Sequence, residues 1–383
     1  MAIVLHEIRK LFSLKMIALV ALLNVIFYLM YIQFYFEHFP NGRPDKDIYK
    51  IVIEIKQQYG LELDEAEFVQ FKQTFDQKVQ EAELIMSRDS HFKGAGISTY
   101  EAFRTMDTFS GNKRFKELNH YAMFDPGIDL FWELQAQQYL IERFEDRLER
   151  AYANFANTDV SVVKRVDALV ESGTLNTIFP DTIYRHYQSI MFYVYSISIV
   201  SILLIVSPIF LRDRRSGVIH LQHASRIGRR LFRSKLIAAL LSAMLIISIQ
   251  LGCFFLLYTR RGIALFYEAP INSAFNSMYF WYDLTFAQFI GLSVGILYVL
   301  GLITALAAAF FSSISANYMA LVALQIPYIY LITQPLSGVL IENLIVLYRP
   351  KYAQPIAYGL LFAIVAALLA FRWRRERKGD LLL

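Results

Sequence analysis

Basic residues crowd the stretch Phe210–Lys235, FLRDRRSGVIHLQHASRIGRRLFRSK, in which only Asp213 carries an opposing charge. Such a run can pair its guanidinium and ammonium groups with the acidic groups of a partner. An apolar patch, formed by Val218, Ile219 and Leu221, lies within the same stretch. The pattern predicts a short helix followed by a turn. The basic residues are Arg212, Arg214, Arg215, Arg226, Arg229, Arg230, Arg233 and Lys235.

The basic loop (residues 212–235) also carries residues that allow the chain to turn. Gly217 and Gly228 bracket the apolar patch, and Ser225 is suited to cap a helix that starts near Arg226. The loop lies between two long apolar runs, and Lys and Arg near the ends of membrane spans resist translocation. We therefore expect it in the cytoplasm. The alternative is that its charge only sets this orientation and that it binds no partner.

No catalytic constellation stands out in the sequence. It has no Gly-Lys pair, and hence no G-x-x-x-x-G-K-[ST] phosphate loop, and no H-E-x-x-H zinc pattern. His220 and His223 could share one helix face, but no further metal ligands lie near them. We expect no enzyme activity, no metal site and no cofactor on this chain.

Six uncharged apolar runs predict a multi-pass membrane protein. The first, Met16–Phe36, has 21 residues and reaches about 31 Å as a helix, enough to cross the hydrocarbon core. A composition that is 56% hydrophobic also fits a membrane protein. The other runs are Tyr187–Leu211, Leu236–Tyr258, Leu284–Phe311, Tyr318–Pro335 and Ala353–Phe371.

The distribution of charge predicts the orientation of these runs. The segments assigned to the cytoplasm hold 16 of the 38 Lys and Arg residues but only four acidic residues. Residues 37–186, in contrast, hold 18 basic and 26 acidic residues. By the positive-inside rule, both termini and the basic loop face the cytoplasm. The net charge of +5 therefore reflects topology, and we expect no nucleic-acid partner.

Residues 37–186 are expected to form a large, mainly helical extracytoplasmic domain between the first and second spans. Asp64 precedes an apolar helical pattern, and Ser98 with Glu101 fits a capping box. The single cysteine allows no disulfide within the chain, so we expect this domain to fold independently on its own core. The remaining segments are an interfacial helix with the first span (1–36), spans two to six (187–371) and a basic cytoplasmic tail (372–383).

Small and polar residues inside the spans are candidates for helix packing or for a substrate pathway. Gly291 and Gly295 form a G-x-x-x-G pattern on the fourth span, and Pro327 would kink the fifth. Packing within one subunit is the simpler interpretation of these residues, and a dimer contact or a pathway wall is the alternative. The amide side chains in or beside the spans are Asn24, Gln33, Gln250, Gln288, Gln325 and Gln334.

The basic loop resembles the segment between the second and third spans of ABC type-2 exporter permeases. That family shows an acidic residue, a small-Gly pair, an aliphatic stretch, Ser or Thr, and Gly-Arg followed by Lys. The segment 336–352 resembles the short re-entrant helices of the same family, and the resemblance covers most of the chain. The corresponding loop residues are Asp213, Ser216-Gly217, Ile219 to Leu221, Ser225, Gly228-Arg229 and Lys235.

The resemblance implies that the basic loop is a coupling helix on which a separate ATPase subunit docks. Two ATPase copies carrying ATP and Mg²⁺ are implied, and so is a second permease copy or a related permease in a dimer. The implied location is the bacterial cell membrane. The apolar patch would fill a groove on the ATPase, and acidic groups around it would pair with basic side chains. The paired side chains would be those of Arg214, Arg215, Arg226 and Arg229.

Two functions from different classes stay open. One is the permease subunit of an ABC exporter that moves a hydrophobic or amphipathic substrate, such as a peptide, a lipid or a drug-like molecule. The other is a membrane-anchored sensor, immunity or scaffold protein whose outer domain binds a peptide ligand. The six apolar runs contain no Asp, Glu, Lys, Arg or His, which disfavours ion-coupled transport and favours energy from a partner.

Overall fold

The computed structural model describes residues 2–107, 112–125, 129–156, 158–217, 228–259 and 262–379. Regular structure in these ranges is helical, apart from three isolated β-bridges, so the predicted all-α class is confirmed. The helices are α1 (Ala2–Leu11), α2 (Leu14–Phe27), α3 (Gln33–Glu37), α4 (Asp45–Tyr59), α5 (Glu65–Arg88), α6 (Ser90–Ala95), α7 (Tyr100–Arg104), α8 (Lys113–Phe124), α9 (Leu130–Glu145), α10 (Arg147–Ala153), α11 (Val160–Glu171), α12 (Asp181–Val206), α13 (Pro208–Arg215), α14 (Gly228–Tyr258), α15 (Phe286–Ile314), α16 (Tyr318–Thr333) and α17 (Ala353–Gly379).

Five helical stretches of the described chain are long and apolar enough to cross a membrane. The first combines α2 and α3 with the π-helical turn Tyr28–Ile32 between them. All five coincide with predicted apolar runs, which agrees with a multi-pass membrane protein. They are Leu14–Glu37, Asp181–Arg215, Leu231–Tyr258, Phe286–Ile314 and Ala353–Arg375.

The remaining predicted run, Tyr318–Pro335, forms the shorter helix α16. It has 16 residues and therefore a length of about 24 Å, against a hydrocarbon core of about 30 Å. Asn317 caps its start by accepting a hydrogen bond from the Ala320 N–H. Pro327 lies inside the helix, and a π-helical turn, Gly338–Glu342, follows it.

The chain before α16 and the chain after it lie at opposite ends of the bundle. On the starting side, the Arg215 guanidinium at the end of α13 is 5.3 Å from the ring centroid of Tyr318. Beyond α16, Leu347 packs with residues of α11, and the Trp281 indole donates to the Arg349 carbonyl. Helix α12 separates α11 from α13 by 26 residues, or about 39 Å. The chain from α16 to residue 349 therefore runs the length of the bundle.

Helices α4 to α11 make up most of residues 37–186, here called the helical domain. The Asp64 side chain accepts the Glu67 N–H at the start of α5, and the Asp64 N–H donates to the Glu67 carboxylate, a capping box that fits the predicted start. At α7 the cap is Thr99, which accepts a backbone N–H from the first turn. The predicted cap at Ser98 is therefore wrong by one residue, since Thr99 holds the extended backbone that a cap requires.

The helical domain does not close its core alone. One buried cluster runs continuously from α4 and α9 through Phe179 into α12 and α14. Another packs residues of α10 and α11 against Tyr279, Trp281 and Leu347, which lie outside residues 37–186. The expectation of an independently folding domain is therefore revised. Its core is completed by the segments 262–285 and 336–352.

Helix α12 is the central element of the bundle. In the most apolar part of the stretch Asp181–Arg215, 78% of the residues are buried. In the most apolar part of Leu14–Glu37, only 6% are. The Tyr195 hydroxyl donates to the carbonyl of Ser293 on α15. Helices α14 and α15 also approach closely, because a Cβ at Gly301 would lie 2.3 Å from the Ile247 side chain.

Candidate functional site

Four charged side chains meet at the end of the bundle that carries the basic loop, and we call them the charge cluster. Lys235 of α14 lies 2.6 Å from Asp213 of α13 and 3.8 Å from Glu7 of α1, measured from Nζ to the carboxylate oxygens. Lys10 of α1 pairs with Glu7 at 2.8 Å and with Asp213 at 3.5 Å. Two positive and two negative charges therefore join α1 to α13 and α14, which lie about 200 residues further along the chain.

The charge cluster is closed to solvent on most sides. Glu7, Asp213 and Lys235 are 4%, 6% and 2% exposed. The Lys235 ammonium also donates to the Ile209 carbonyl, so its charge is hydrogen-bonded as well as paired. Removal of one partner from such a buried group costs about 3–5 kcal/mol, because the remaining charge is left uncompensated. The cluster therefore holds α1, α13 and α14 in a fixed relative position.

Helix α13 is also fixed to the end of α15. The Arg214 guanidinium donates to the carbonyls of Ser313 and Ser315, which belong to the last turn of α15 and its cap. In return, the Ser312 hydroxyl accepts the backbone N–H groups of Phe210 and Leu211. A cation beside terminal carbonyls also suits the negative end of the helix dipole. The start of the basic loop is thus bonded to α1, α14 and α15.

The residues predicted to contact an ATPase fall into four groups. Asp213 and Arg214 have the contacts within the chain given above. Arg215 is exposed, and Gly217 has φ +70° just after α13, a conformation that glycine adopts without strain. Gly228 and Arg229 form the first residues of α14. The predicted contacts Val218, Ile219, Leu221, Ser225 and Arg226 lie outside the described residues.

The sequence did not identify Glu7, Lys10 and Lys235 as partners. The sequence places Lys235 among the loop charges and at the Lys position of the family pattern, and it gives Glu7 and Lys10 no partner. One signal was available, since Asp213 is the only acid in a strongly basic stretch. A lone acid in such a setting indicates a specific ion pair.

A lateral groove of about 750 Å³ lies between the first apolar helix, Leu14–Glu37, and α14, with α12 as its floor. Phe12 lines one end of the groove, and Phe36 and Phe254 line the other. The size is within the range of about 300–1,000 Å³ that small-molecule sites occupy. The described chain has its single free cysteine, Cys253, on this wall.

Two amides form a hydrogen-bonded network at mid-depth in the lateral groove. The Gln250 amide nitrogen donates to Asn24 Oδ1 and Ser201 Oγ, and Asn24 Nδ2 donates to Ser201 Oγ and the Val20 carbonyl. Gln250 Oε1 accepts the Ser198 hydroxyl. The donors of both amides are thus used within the protein, while each amide oxygen keeps a second acceptor position. The lateral groove therefore has apolar walls and, at mid-depth, two amide oxygens that can accept a hydrogen bond from a ligand.

Two of the other predicted intramembrane residues, Gln325 and Gln288, have structural contacts, whereas the two predicted glycines do not. Gln325 donates to the Ser207 hydroxyl, which ties α16 to the junction of α12 and α13. Gln288 completes a capping box with Thr285 at the start of α15. At Gly291 and Gly295 an added Cβ would meet nothing within 4 Å, so these glycines do not pack within the described chain.

Among the described residues, no group of three His, Cys, Asp or Glu side chains is arranged to hold a metal ion. Comparisons of the chain with protein-family models, with characterised proteins and with solved structures give no significant match. The functional interpretation therefore depends on the geometry described above.

Proposed function

We propose that this chain is the membrane subunit of an ABC-type exporter, driven by a separate ATPase that docks on the basic loop. The proposal places six spans in the bacterial cell membrane, with both termini in the cytoplasm and the helical domain outside. Helix α16 is the fifth span in this arrangement. The assignment of α16 as a span is supported by the path of the chain. It runs from Arg215 at the basic loop, through α16, to Leu347 beside the helical domain.

The observation that carries the proposal is the charge cluster. A partner that hydrolyses ATP must deliver its energy as a movement at a surface of this chain, and that surface must be firmly attached to the spans. Asp213 lies five residues before Val218 and is bonded to α1 and α14 at once. A displacement of the loop would therefore act on several apolar helices together. A loop that served topology alone would need no such attachment.

The charge content of the spans supports an external energy source. None of the six apolar runs contains an ionisable Asp, Glu, Lys, Arg or His. Carriers coupled to protons or ions usually depend on such groups within the membrane. An ATPase partner that carries ATP and Mg²⁺, in two copies, fits a chain that has neither a phosphate loop nor an intramembrane charge.

The lateral groove supports the substrate class. Its walls are apolar, and Asn24 and Gln250 present acceptor oxygens at mid-depth. A hydrophobic or amphipathic molecule that carries a hydroxyl or amide N–H fits these properties. The second subunit of the exporter is expected on the face that carries Gly291 and Gly295, because small residues that pack on nothing within one chain allow another helix to approach.

The docking surface is tested by a charge placed in the apolar patch. We expect Ile219→Asp to lower retention of the ATPase during purification from native membranes by about tenfold or more, as for a buried interface residue. Substrate-stimulated ATP hydrolysis in lipid should fall in parallel. His220→Asp is the matched control, since it adds the same charge at a neighbouring residue that we place away from the ATPase groove.

The result separates the proposed function from its alternative. Loss of the ATPase in Ile219→Asp, with retention in His220→Asp and normal membrane insertion of both, supports the exporter. Full retention and activity in Ile219→Asp would place the docking surface elsewhere. If no subunit with a phosphate loop co-purifies with the wild-type chain, the exporter proposal fails and the sensor or immunity function gains support.

A further inference from the structure

Two arginines of the helical domain, Arg143 at the end of α9 and Arg150 on α10, lack the carboxylate partners that their neighbours have. Five other arginines in this domain make ion pairs, four of them with acidic residues distant in the sequence at 2.5–2.9 Å. No carboxylate oxygen lies within 4.0 Å of Arg143 or Arg150 in the described structure. The paired residues are Arg43, Arg104, Arg147, Arg165 and Arg185.

The absence of a carboxylate is not explained by residues outside the described ranges. All acidic residues from Glu37 to Glu342 lie within the described structure. Two causes lower the pKa of Arg150, and the carboxylate of Asp146 opposes them less than the hydroxyls of Tyr279 and Tyr139 do. These causes are burial, the larger one, and the like charge of Arg143. Two guanidinium groups therefore repel each other in a partly dry environment.

Several nitrogen atoms of this arginine pair are both buried and without a hydrogen-bond acceptor. They are Nε and Nη2 of Arg143 and Nε of Arg150. Arg150 Nη2 is the exception, because it donates to the Arg143 carbonyl and, at 3.4 Å, to the Ala274 carbonyl. Arg143 lies 5.7 Å from the ring centroid of Tyr139. A buried polar group left in this state requires an explanation, and a bound ion is one that fits two adjacent cations.

Tyrosines complete the surroundings of the arginine pair. The charges of Arg150 and Arg143 both act to lower the pKa of Tyr279, which burial raises, and Arg143 acts on Tyr348 in the same way. The ring of Phe155 lies between them, 6.0 Å from Tyr279 and 4.8 Å from Tyr348 by centroids. Tyr348 is 53% exposed, so the arginine pair lies close beneath the surface. Guanidinium N–H and phenol O–H groups are all donors, which is the chemistry of an oxyanion site.

We propose that Arg143 and Arg150 bind a phosphate-type oxyanion, with Tyr279 and Tyr348 beside it. Two guanidinium groups match the double negative charge of a phosphate better than the single charge of a carboxylate. The loops that carry Tyr279 and Tyr348 come from the ends of the apolar helices, so the phosphate could belong to a phospholipid head group or to a phosphorylated solute. The proposal is independent of the exporter function, since it uses neither the basic loop nor the charge cluster.

The test compares inorganic phosphate with chloride and with acetate at constant ionic strength, using thermal unfolding of the full-length, delipidated protein. We expect phosphate to raise the melting temperature of the wild type more than either other anion does. Arg143→Gln should lose this increase and weaken phosphate binding by about tenfold or more. Arg88→Gln is the matched control, because Arg88 is an exposed arginine of the same domain.

The change in melting temperature that Arg143→Gln causes in phosphate-free buffer distinguishes a binding residue from a structural one. Arg143→Gln removes one of two like charges and no side-chain hydrogen bond of the described structure, so its melting temperature in phosphate-free buffer should equal or exceed that of the wild type. Arg143→Lys keeps the charge but not the planar fork and should show an intermediate phosphate effect. A variant that melts lower with and without phosphate would indicate a structural residue and overturn the proposal.

A second arm identifies the source of the phosphate. If it belongs to a lipid, Arg143→Gln should retain less anionic phospholipid per protein than Arg88→Gln after purification in mild detergent. If it belongs to a solute, phospholipid retention should be equal and the inorganic phosphate effect should remain. If acetate and phosphate raised the melting temperature equally, the site would not be specific for a phosphate-type oxyanion, and the proposal would be wrong about the anion. The absence of both a phosphate effect and a difference in retained lipid would overturn the proposal.

Discussion

At the scale of single residues, Lys56 of α4 shows how the helical domain tolerates a buried charge. The side chain is 6% exposed, and its Nζ has no hydrogen-bond partner in the described structure. The ammonium lies 5.2 Å from the ring centroid of Phe266, a favourable but weak contact. Burial lowers the pKa of Lys56, against a smaller opposing effect of Glu268.

We expect Lys56→Met to stabilise the protein by about 1–3 kcal/mol at neutral pH, because it removes an unpaired buried polar group and keeps the apolar stem. A lysine whose pKa is lower in the folded state than the ordinary 10.5 binds more protons when unfolded. The stability of the wild type should therefore rise with pH between the lowered pKa and 10.5.

The measurement is the free energy of unfolding or the melting temperature at several pH values between 7.5 and 10.5. The increase of stability with pH should be absent in Lys56→Met. It should be present in Lys46→Met, which makes the same change at an exposed residue. An unchanged pH slope in Lys56→Met would show that Lys56 does not titrate with a lowered pKa.

At the scale of helices, the glycines of α15 separate into two kinds. Gly301 lies at a crossing, where a Cβ would be 2.3 Å from the Ile247 terminal methyl and 3.1 Å from that of Ile202. Gly295 is exposed and has no neighbour within 4 Å of its built Cβ. The two residues therefore differ in packing, although both are glycines of the same helix.

We expect Gly301→Ala to destabilise the protein by about 1–3 kcal/mol, since Ile247 is fully buried and can give way only by disturbing its own packing. Gly295→Ala should be neutral or stabilising by up to about 1 kcal/mol, the ordinary helix preference for alanine. Unfolding in mild detergent at increasing denaturant concentration measures both. Equal stabilities of the two variants would contradict the close crossing of α14 and α15.

The positions of the apolar helices were largely predictable, whereas the contacts between them were not. Runs without charge determine where a helix can cross, so Phe286–Ile314 agrees with its predicted counterpart to within a few residues. The G-x-x-x-G pattern, in contrast, pointed to Gly291 and Gly295, because sequence spacing does not show which face of α15 meets another helix. The contact of Asn24 with Gln250 joins residues 226 positions apart, and no local pattern contains that information.

At the scale of the whole molecule, the arrangement of the chain depends on α16. If it crosses, the tail after α17 lies on the same side as the basic loop. If it does not, the tail lies on the side of the helical domain. The packing of Leu347 with α11 favours the crossing, because the segment after α16 then reaches the helical domain. A short helix can span by local thinning of the bilayer at a modest cost.

Single cysteines in a Cys253→Ala background test this arrangement with an impermeant thiol reagent on intact cells. We expect Lys113→Cys to react, since this side chain is 88% exposed in the helical domain. Ser216→Cys and Arg375→Cys should react only after the membrane is permeabilised. Labelling of both Lys113→Cys and Arg375→Cys in intact cells, without Ser216→Cys, would remove α16 from the spans. Labelling of Ser216→Cys and Arg375→Cys, without Lys113→Cys, would reverse the orientation.

The charge cluster has a consequence for the order in which the protein is completed during translation. Glu7 and Lys10 leave the ribosome first, but their partners Asp213 and Lys235 follow more than 200 residues later. At about 5–20 residues per second, the first helix waits roughly 10–50 s for these partners. Helix α1 thus gains its full set of charge partners only once α13 and the start of α14 exist, and a chain that terminates before Asp213 leaves α1 without any of the partners on those two helices.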